Sequence, residues 1–165
     1  MWAILKFDKK NLETLKKDLS KILGNDFKFY IPKLLLKKYK NEKIADKEFY
    51  LLDDYLFCFH KKISNKNIIS ALQYSRGLKY FIRGFYQTQP QINNFIKKCK
   101  EYENTDGYLS QEFFELNLTS KFKFISGPFA NEIFKIIELQ EKKIKILIGN
   151  LKTTINKKEL LFKPI

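Results

Sequence analysis

An α+β fold in two parts is predicted by three observations. Residues 1–103 run strand, helix, strand, strand, helix, strand; residues 104–119 lose all periodicity; residues 120–165 return as short alternating strands with tight turns. The first part has the βαββαβ order of a ferredoxin-like split βαβ unit, and the last has the strand density of a small SH3-like β-barrel. The expected organisation is therefore a domain at 1–103, a linker at 104–119 and a second domain at 120–165.

Each element follows from its residues. Trp2, Ala3, Ile4, Leu5 and Phe7 make a short apolar strand with Lys6 interposed. Asp8 or Asn11 offers an N-cap, and Leu12, Leu15, Leu19, Ile22 and Leu23 recur at three and four residues before Gly24 ends the helix. Lys16, Lys17 and Lys21 fall off that stripe. Residues 27–36 read as one long strand, which Pro32 places at an edge or a kink. The polar run 37–46 reads as a hairpin tip. Lys37, Lys38, Lys40 and Lys43 are solvated there, or else touch nucleic acid.

Residues 47–60 form the most apolar and aromatic run of the chain, and past Asp54 apolar side chains fill odd and even positions alike, as in a central strand covered on both faces. Asp53 and Asp54 interrupt the run where a turn or bulge puts two charges in water, leaving Phe49, Tyr50, Leu51 and Leu52 as an apolar lip. Ser64 is the expected N-cap of a helix carrying Ile68, Ile69 and Leu72, and Ser75-Arg76-Gly77 turns into a strand at 78–83. Pro90 in a first turn, then Ile92, Phe95, Ile96 and Cys99 on one stripe, mark a third helix against the sheet or its edge. One sheet face is expected to stay open for binding. Phe113 and Phe114 in the linker are expected to dock on a neighbouring domain. Beyond it, strands are expected at 121–125, 133–139, 144–148 and 152–156, with Ile144, Ile146 and Ile148 alternating along one of them.

A hydrophobic share of 44% over 165 residues supplies a real core. The 32 Lys and Arg against 18 Asp and Glu give +14, which points to nucleic acid or an acidic protein surface, or else to a general Lys-rich bias. Cys58 and Cys99 suggest neither a disulfide framework nor a zinc cluster, in keeping with a reducing cytoplasm. No leader pattern or membrane-length apolar run is present, so no membrane partner is expected. His60 lacks neighbouring metal ligands, and Asp53 with Asp54 lacks a companion base or nucleophile. Neither enzyme chemistry nor a cofactor or metal is expected.

Ser126-Gly127-Pro128-Phe129-Ala130-Asn131 opening the second domain, Ser75-Arg76-Gly77-Leu78 leading into a strand, Tyr55-Leu56-Phe57 after a turn and an amino-terminal Trp2 occur in an order that resembles the NusG/RfaH family of transcription elongation factors. The resemblance spans nearly the whole chain, with the first domain as the family's NGN domain and the second as its KOW domain. Leu52-Asp53-Asp54 stands where the family carries Phe-Pro-Gly or Phe-Pro-Asn. Around Ile68, Ile69 and Ser70 there is no His-Thr-Thr element of the kind set against the gate loop of the polymerase β subunit. These departures resemble a specialised RfaH-type paralogue more than the housekeeping factor.

The resemblance implies a monomeric cytoplasmic factor that binds RNA polymerase at the β′ clamp helices, contacts upstream or non-template DNA, suppresses pausing and recruits ribosomal protein S10 or Rho through the KOW domain. The polymerase contacts it implies are Tyr50, Leu51, Leu52, Tyr55, Phe57, Phe85 and Ile96, with core as the other reading of Phe57 and Ile96. The DNA contacts are Lys9, Lys10, Ser75, Arg76 and Lys79, with Arg76 either stacked on a base or solvated. The KOW contacts are Phe129, Ile133 and Phe134, of which at least one belongs to the barrel core. Residues 132–145 also tolerate a helix, so the helical hairpin known in RfaH stays open beside the barrel. The competing reading is an RNA-binding or ribosome-associated module, although no strand has the Gly-flanked aromatic pattern of an RNA-recognition domain.

Overall fold

The computed structural model describes every residue except Asn41, Glu42, Thr119, Lys158 and Glu159, and every side chain except those, residues 36–46 and Gln111. The side chains of Lys37, Lys38, Lys40 and Lys43 thus lie outside the described residues. In chain order the elements are β1 (Trp2–Phe7), α1 (Leu12–Leu23), β2 (Lys28–Tyr30), β3 (Lys33–Lys40), β4 (Lys43–Tyr50), β5 (Tyr55–Phe59), α2 (Lys66–Leu72), β6 (Leu78–Phe81) and α3 (Gln89–Glu101). They continue with β7 (Lys121–Phe124), β8 (Ile133–Leu139), β9 (Lys143–Ile148), β10 (Leu151–Asn156) and β11 (Phe162–Pro164). Packing divides the chain into one unit of Met1–Lys33 with Tyr50–Glu101 and another of Leu34–Phe49 with Tyr102–Ile165. Among the described residues no helix is long and apolar enough to cross a membrane.

The first unit is the ferredoxin-like sheet, in the order β2-β5-β1-β6, and every neighbouring pair is antiparallel. β1 has one face for each of its two residue sets. Ala3, Leu5 and Phe7 are fully buried, in one core with Leu15, Leu19 and Leu23 of α1, Leu72 of α2, and Leu56 and Cys58 of β5. The third helix takes the opposite face: Phe95 of α3 meets Phe57, with ring centroids 5.7 Å apart, and Ile92, Ile96 and Cys99 are buried. Gln89 ties its start to the strand, accepting from Trp2 N at 2.9 Å and donating to Trp2 O at 2.7 Å. The face expected to be open is therefore covered over its middle.

Several boundaries differ from the sequence reading for local reasons. Pro32 has no N–H to give a ladder, and the expected single strand at 27–36 is two, β2 and β3. Most of the polar run 37–46, expected as a hairpin tip, is strand in β3 and β4, while Asn41 and Glu42 lie outside the described residues. Asp8 caps a 3-10 turn over Lys9–Asn11, and Asn11 then holds the N-cap position of α1, its side chain donating back to Asp8 at 2.6 Å instead of capping the helix. Ser64 ends another such turn, so the cap of α2 is Asn65, which accepts from Asn67 N at 2.9 Å. The expected strand 78–83 stops at Phe81. Gly77 has φ +82, and a Cβ there would stand 2.9 Å from Asn11 Cβ and O, so the turn into β6 needs glycine.

In the second unit β7 to β11 form one antiparallel sheet ordered β10-β9-β8-β7-β11. Ile155 on one edge strand and Phe162 on the other share a core with Phe122, Phe124, Phe134, Ile136, Ile144 and Ile146, so the sheet curls onto itself as an SH3-like barrel. The strand β11 escaped the sequence reading. Gly127, at φ +83, lies where a Cβ would run into Leu160, and Leu161 N donates to Ser126 Oγ at 3.1 Å to fasten the turn. Between α3 and β7, Glu103 bridges Leu109, Phe114 is buried and Phe113 packs edge-on to Tyr102 and Phe114. Tyr108 donates to Glu48 of β4 at 2.7 Å.

Both cores should respond to truncation. Leu19→Ala is expected to cost about 2–5 kcal/mol, and Phe134→Ala about 3–5 kcal/mol. Urea denaturation of the full-length variants measures this, and a loss well under about 1 kcal/mol for either would place that side chain outside a packed core.

Candidate protein- and nucleic-acid-binding surface

Strand pairing decides which side chains share a face. β1 sets Lys6 opposite Tyr55, Ile4 opposite Phe57 and Trp2 opposite Phe59, and on its other side sets Lys6 opposite Tyr80. Residues directly opposite project from the same face, so Tyr55, Lys6 and Tyr80 form a row across three strands, on the side away from α1 and α2. Lys6 Nζ lies 5.1 Å from the Tyr55 ring centroid and 5.8 Å from that of Tyr80, and the two hydroxyls share a hydrogen bond at 3.2 Å. Its hydrogen bond to Tyr55 holds the Lys6 ammonium above its ordinary range. The Tyr80 bond draws the Tyr55 phenol down, and the same bond raises that of Tyr80.

The turn before β5 supplies the balancing charge. Asp53 sits in the left-handed region at φ 51, while Asp53 N donates to Tyr50 O at 3.1 Å and Tyr55 N to Leu52 O at 3.0 Å. Leu51 N donates to Pro32 O at 2.9 Å and Phe7 N to Asp54 O at 2.8 Å, which anchors the turn on both sides. The Asp54 carboxylate accepts from Lys79 at 3.1 Å and lies 3.7 Å from Lys6. Burial pushes its carboxyl up, but the Lys79 hydrogen bond and the two ammonium charges outweigh that and hold it below the usual range.

The residues expected to meet polymerase separate into two groups. Tyr50, Leu51, Leu52 and Tyr55 are half-buried along this turn, with Tyr50 and Leu52 resting on the core. Phe57, Phe85 and Ile96 are interior, with 3, 4 and 5% of their surface exposed. The cause is the third helix and its approach: Phe95 covers Phe57, and Phe85 stacks on Tyr86 at 4.2 Å. These three support the surface from beneath and are not offered to a partner.

The residues expected to meet DNA also differ among themselves. Lys9 and Lys10 are exposed, with Lys9 Nζ 5.5 Å from the Tyr50 ring centroid. Lys79 is exposed but engaged by Asp54. Arg76 forks onto Asp18, its Nε donating at 2.8 Å and its Nη2 at 2.9 Å, with its backbone N at 3.2 Å. Ser75 is buried, its Oγ without a hydrogen-bond partner among the described residues, and its carbonyl accepts from Leu78 N at 3.1 Å. It shapes the turn and presents no hydroxyl to solvent.

In the barrel Phe134 is core, the place expected for at least one of the three candidate contacts. Ile133 is exposed at 52%, and Phe129 is half-buried against Phe124. Strand register sets Lys121 opposite Lys135 and Lys123 opposite Lys163, so like charges face each other in pairs.

Lys6 and Tyr80 are the surface residues that sequence reasoning missed. Their signal was a lone Lys inside an apolar strand, which only the register with Tyr55 and Tyr80 interprets. His60 is buried, with Nε2 3.0 Å from Asp26 Oδ1, while Nδ1 accepts from Lys62 N at 3.1 Å. It closes the end of β5. Among the described residues no group of three or more His, Cys, Asp and Glu is placed to hold a metal ion.

The class of architecture is thus a ferredoxin-like βαββαβ unit joined to a small SH3-like barrel. Comparison with protein families finds no match, and comparison with curated proteins finds none either. Among solved structures the chain is similar to the MjSpt4:Spt5 complex in conformation B, at 11% identity and a TM-score of 0.31, over 100% of this chain and 98% of that one. It is also similar to Thermotoga maritima NusG, in a structure concerned with its domain interaction, at 14% identity and a TM-score of 0.35, over 97% and 92% of the two chains. At these values any functional reading rests on the residues of this chain.

The Arg76–Asp18 fork makes a pH prediction. Its hydrogen bonds from Arg76, then from Lys21, hold the Asp18 carboxyl well below the usual carboxylate range. A carboxyl depressed in the folded state adds stability that is complete above its unfolded pKa and is lost as pH falls through the folded one. The stability gap between wild type and Asp18→Asn should therefore stay constant from neutrality down to about pH 5 and close only in stronger acid. Urea midpoints across pH measure it; a gap absent at neutrality would mean the fork does not tether the turn.

Proposed function

We propose that this chain is a transcription elongation and antitermination factor that docks its first domain on RNA polymerase. The observation that carries this reading is the half-exposed shelf formed by Tyr50, Leu51, Leu52 and Tyr55, continued by Lys6 and Tyr80. An apolar shelf with a basic margin suits the tip of a helical hairpin that ends in mixed apolar and acidic side chains, as the β′ clamp helices would present. The order of the Gly127-Pro128-Phe129-Ala130, Ser75-Arg76-Gly77 and Tyr55-Leu56-Phe57 motifs supports the same reading.

In this arrangement Lys9, which stands beside Tyr50, and Lys10 would meet the phosphates of upstream or non-template DNA, with Lys79 able to leave Asp54 for a phosphate. Arg76 serves chiefly to fix the turn on α1. Bridging the polymerase clamp and the DNA would oppose pausing. The barrel would recruit a second protein, ribosomal protein S10 or Rho, through Ile133 and Phe129. The domains proposed for these roles remain 1–103 and 120–165, in a monomeric cytoplasmic protein of the specialised RfaH type.

The facing lysine pairs Lys121–Lys135 and Lys123–Lys163 favour a second reading, an RNA-binding or ribosome-associated module, since an anionic strand would relieve their repulsion. Retention of core polymerase by the immobilised full chain separates the two. Leu52→Glu with Tyr55→Ala removes central contacts worth about 2 kcal/mol or more, so binding should weaken roughly 30-fold. Unchanged retention defeats the polymerase reading, and capture of RNA without polymerase supports the module.

A further inference from the structure

At the far end of the same sheet face, beyond the cover of α3, lies a groove of about 510 Å³ lined by Trp2, Lys28, Phe29, Tyr30, Phe59 and Lys100. The register explains its lining: Trp2 and Lys28 both stand opposite Phe59, so one row carries two rings and an ammonium across β1, β5 and β2. The Trp2 and Phe59 ring centroids are 5.2 Å apart, and Trp2 meets Phe57 edge-on at 6.4 Å. Lys100, near the end of α3, places Nζ 5.9 Å from the Tyr30 ring centroid. Lys28 and Lys100 are exposed and, among the described residues, neither has a carboxylate partner.

The geometry points to a binding site for single-stranded nucleic acid, with a base stacked on Trp2 beside Phe59 and Tyr30 and the flanking phosphates on Lys28 and Lys100. Aromatic rings flanked by lysines are the combination that single strands use, because every base has a π-face and every linkage a negative charge. A cationic ligand, which such rings would otherwise suit, is repelled by the two ammonium groups. A purely apolar segment would leave those groups unanswered. The site is distinct from the Tyr55–Lys6–Tyr80 row and independent of polymerase docking, so either reading can fail alone.

Trp2 is the single tryptophan of the chain, so its fluorescence reports on this groove alone. Titration of the full chain with ten-nucleotide oligouridine and oligothymidine should quench it, and the stronger of the two identifies RNA or DNA as the strand preferred. Heparin and polyglutamate, which are polyanions without bases, should leave it nearly unchanged. Lys28→Ala with Lys100→Ala should weaken oligonucleotide binding and reduce the slope of log K against log salt by about 1.4, at about 0.7 for each single-strand phosphate contact. Trp2→Phe keeps the strand packed and should weaken binding measured by anisotropy of a labelled oligonucleotide. Quenching by polyglutamate as strong as by either oligonucleotide, no quench by either, or an unaltered salt slope in the double lysine variant overturns the assignment.

Discussion

The register of β1 between β5 and β6 is the constraint from which the first domain's surface follows. A strand has two faces, and a slip of one residue exchanges them. In β1 such a slip would drive Lys6 into the space now filled by Leu5 and Phe7, burying a charge with no acid at hand. The same register keeps Lys6 between two tyrosine rings and within reach of Asp54. One lysine thereby fixes both what is core and what is exposed.

The third helix then apportions the exposed face. Gln89 holds its start to the Trp2 backbone, and Phe95 seals the middle row over Phe57. What remains are two windows of different chemistry. One carries tyrosines, aliphatic turn residues and a compensated lysine. The other carries a tryptophan, a phenylalanine and a tyrosine between two lysines that no carboxylate neutralises among the described residues. Helix packing, more than strand composition, gives the face this division.

Much of this architecture was legible in residue order. The Leu15, Leu19 and Leu23 stripe gave α1, the Asp53-Asp54 break gave the turn before β5, and the alternating Ile144 and Ile146 gave β9. What stayed hidden depends on partners far along the chain. A run such as Tyr55-Leu56-Phe57-Cys58-Phe59 does not disclose which of its rings a later helix will cover, so Phe57 read as contact or core alike. Lys6 looked like an interruption because its meaning lies 49 and 74 residues away, at Tyr55 and Tyr80. Lys37, Lys38, Lys40 and Lys43 hid how far the two strands extend into the expected hairpin tip, because a polar run in the sequence carries no period of two. Phe162 needed only three residues of strand to complete the barrel core, too few for a pattern.

The two cysteines carry a last consequence. Both are buried thiols, and burial pushes Cys58 up to about 12, so almost none of it ionises near neutrality. Disulfide exchange, glutathione capping and sulfenic oxidation all begin with an accessible thiolate. In the folded molecule the Cys58 thiol is accordingly shielded from the exchange and oxidation chemistry of its surroundings.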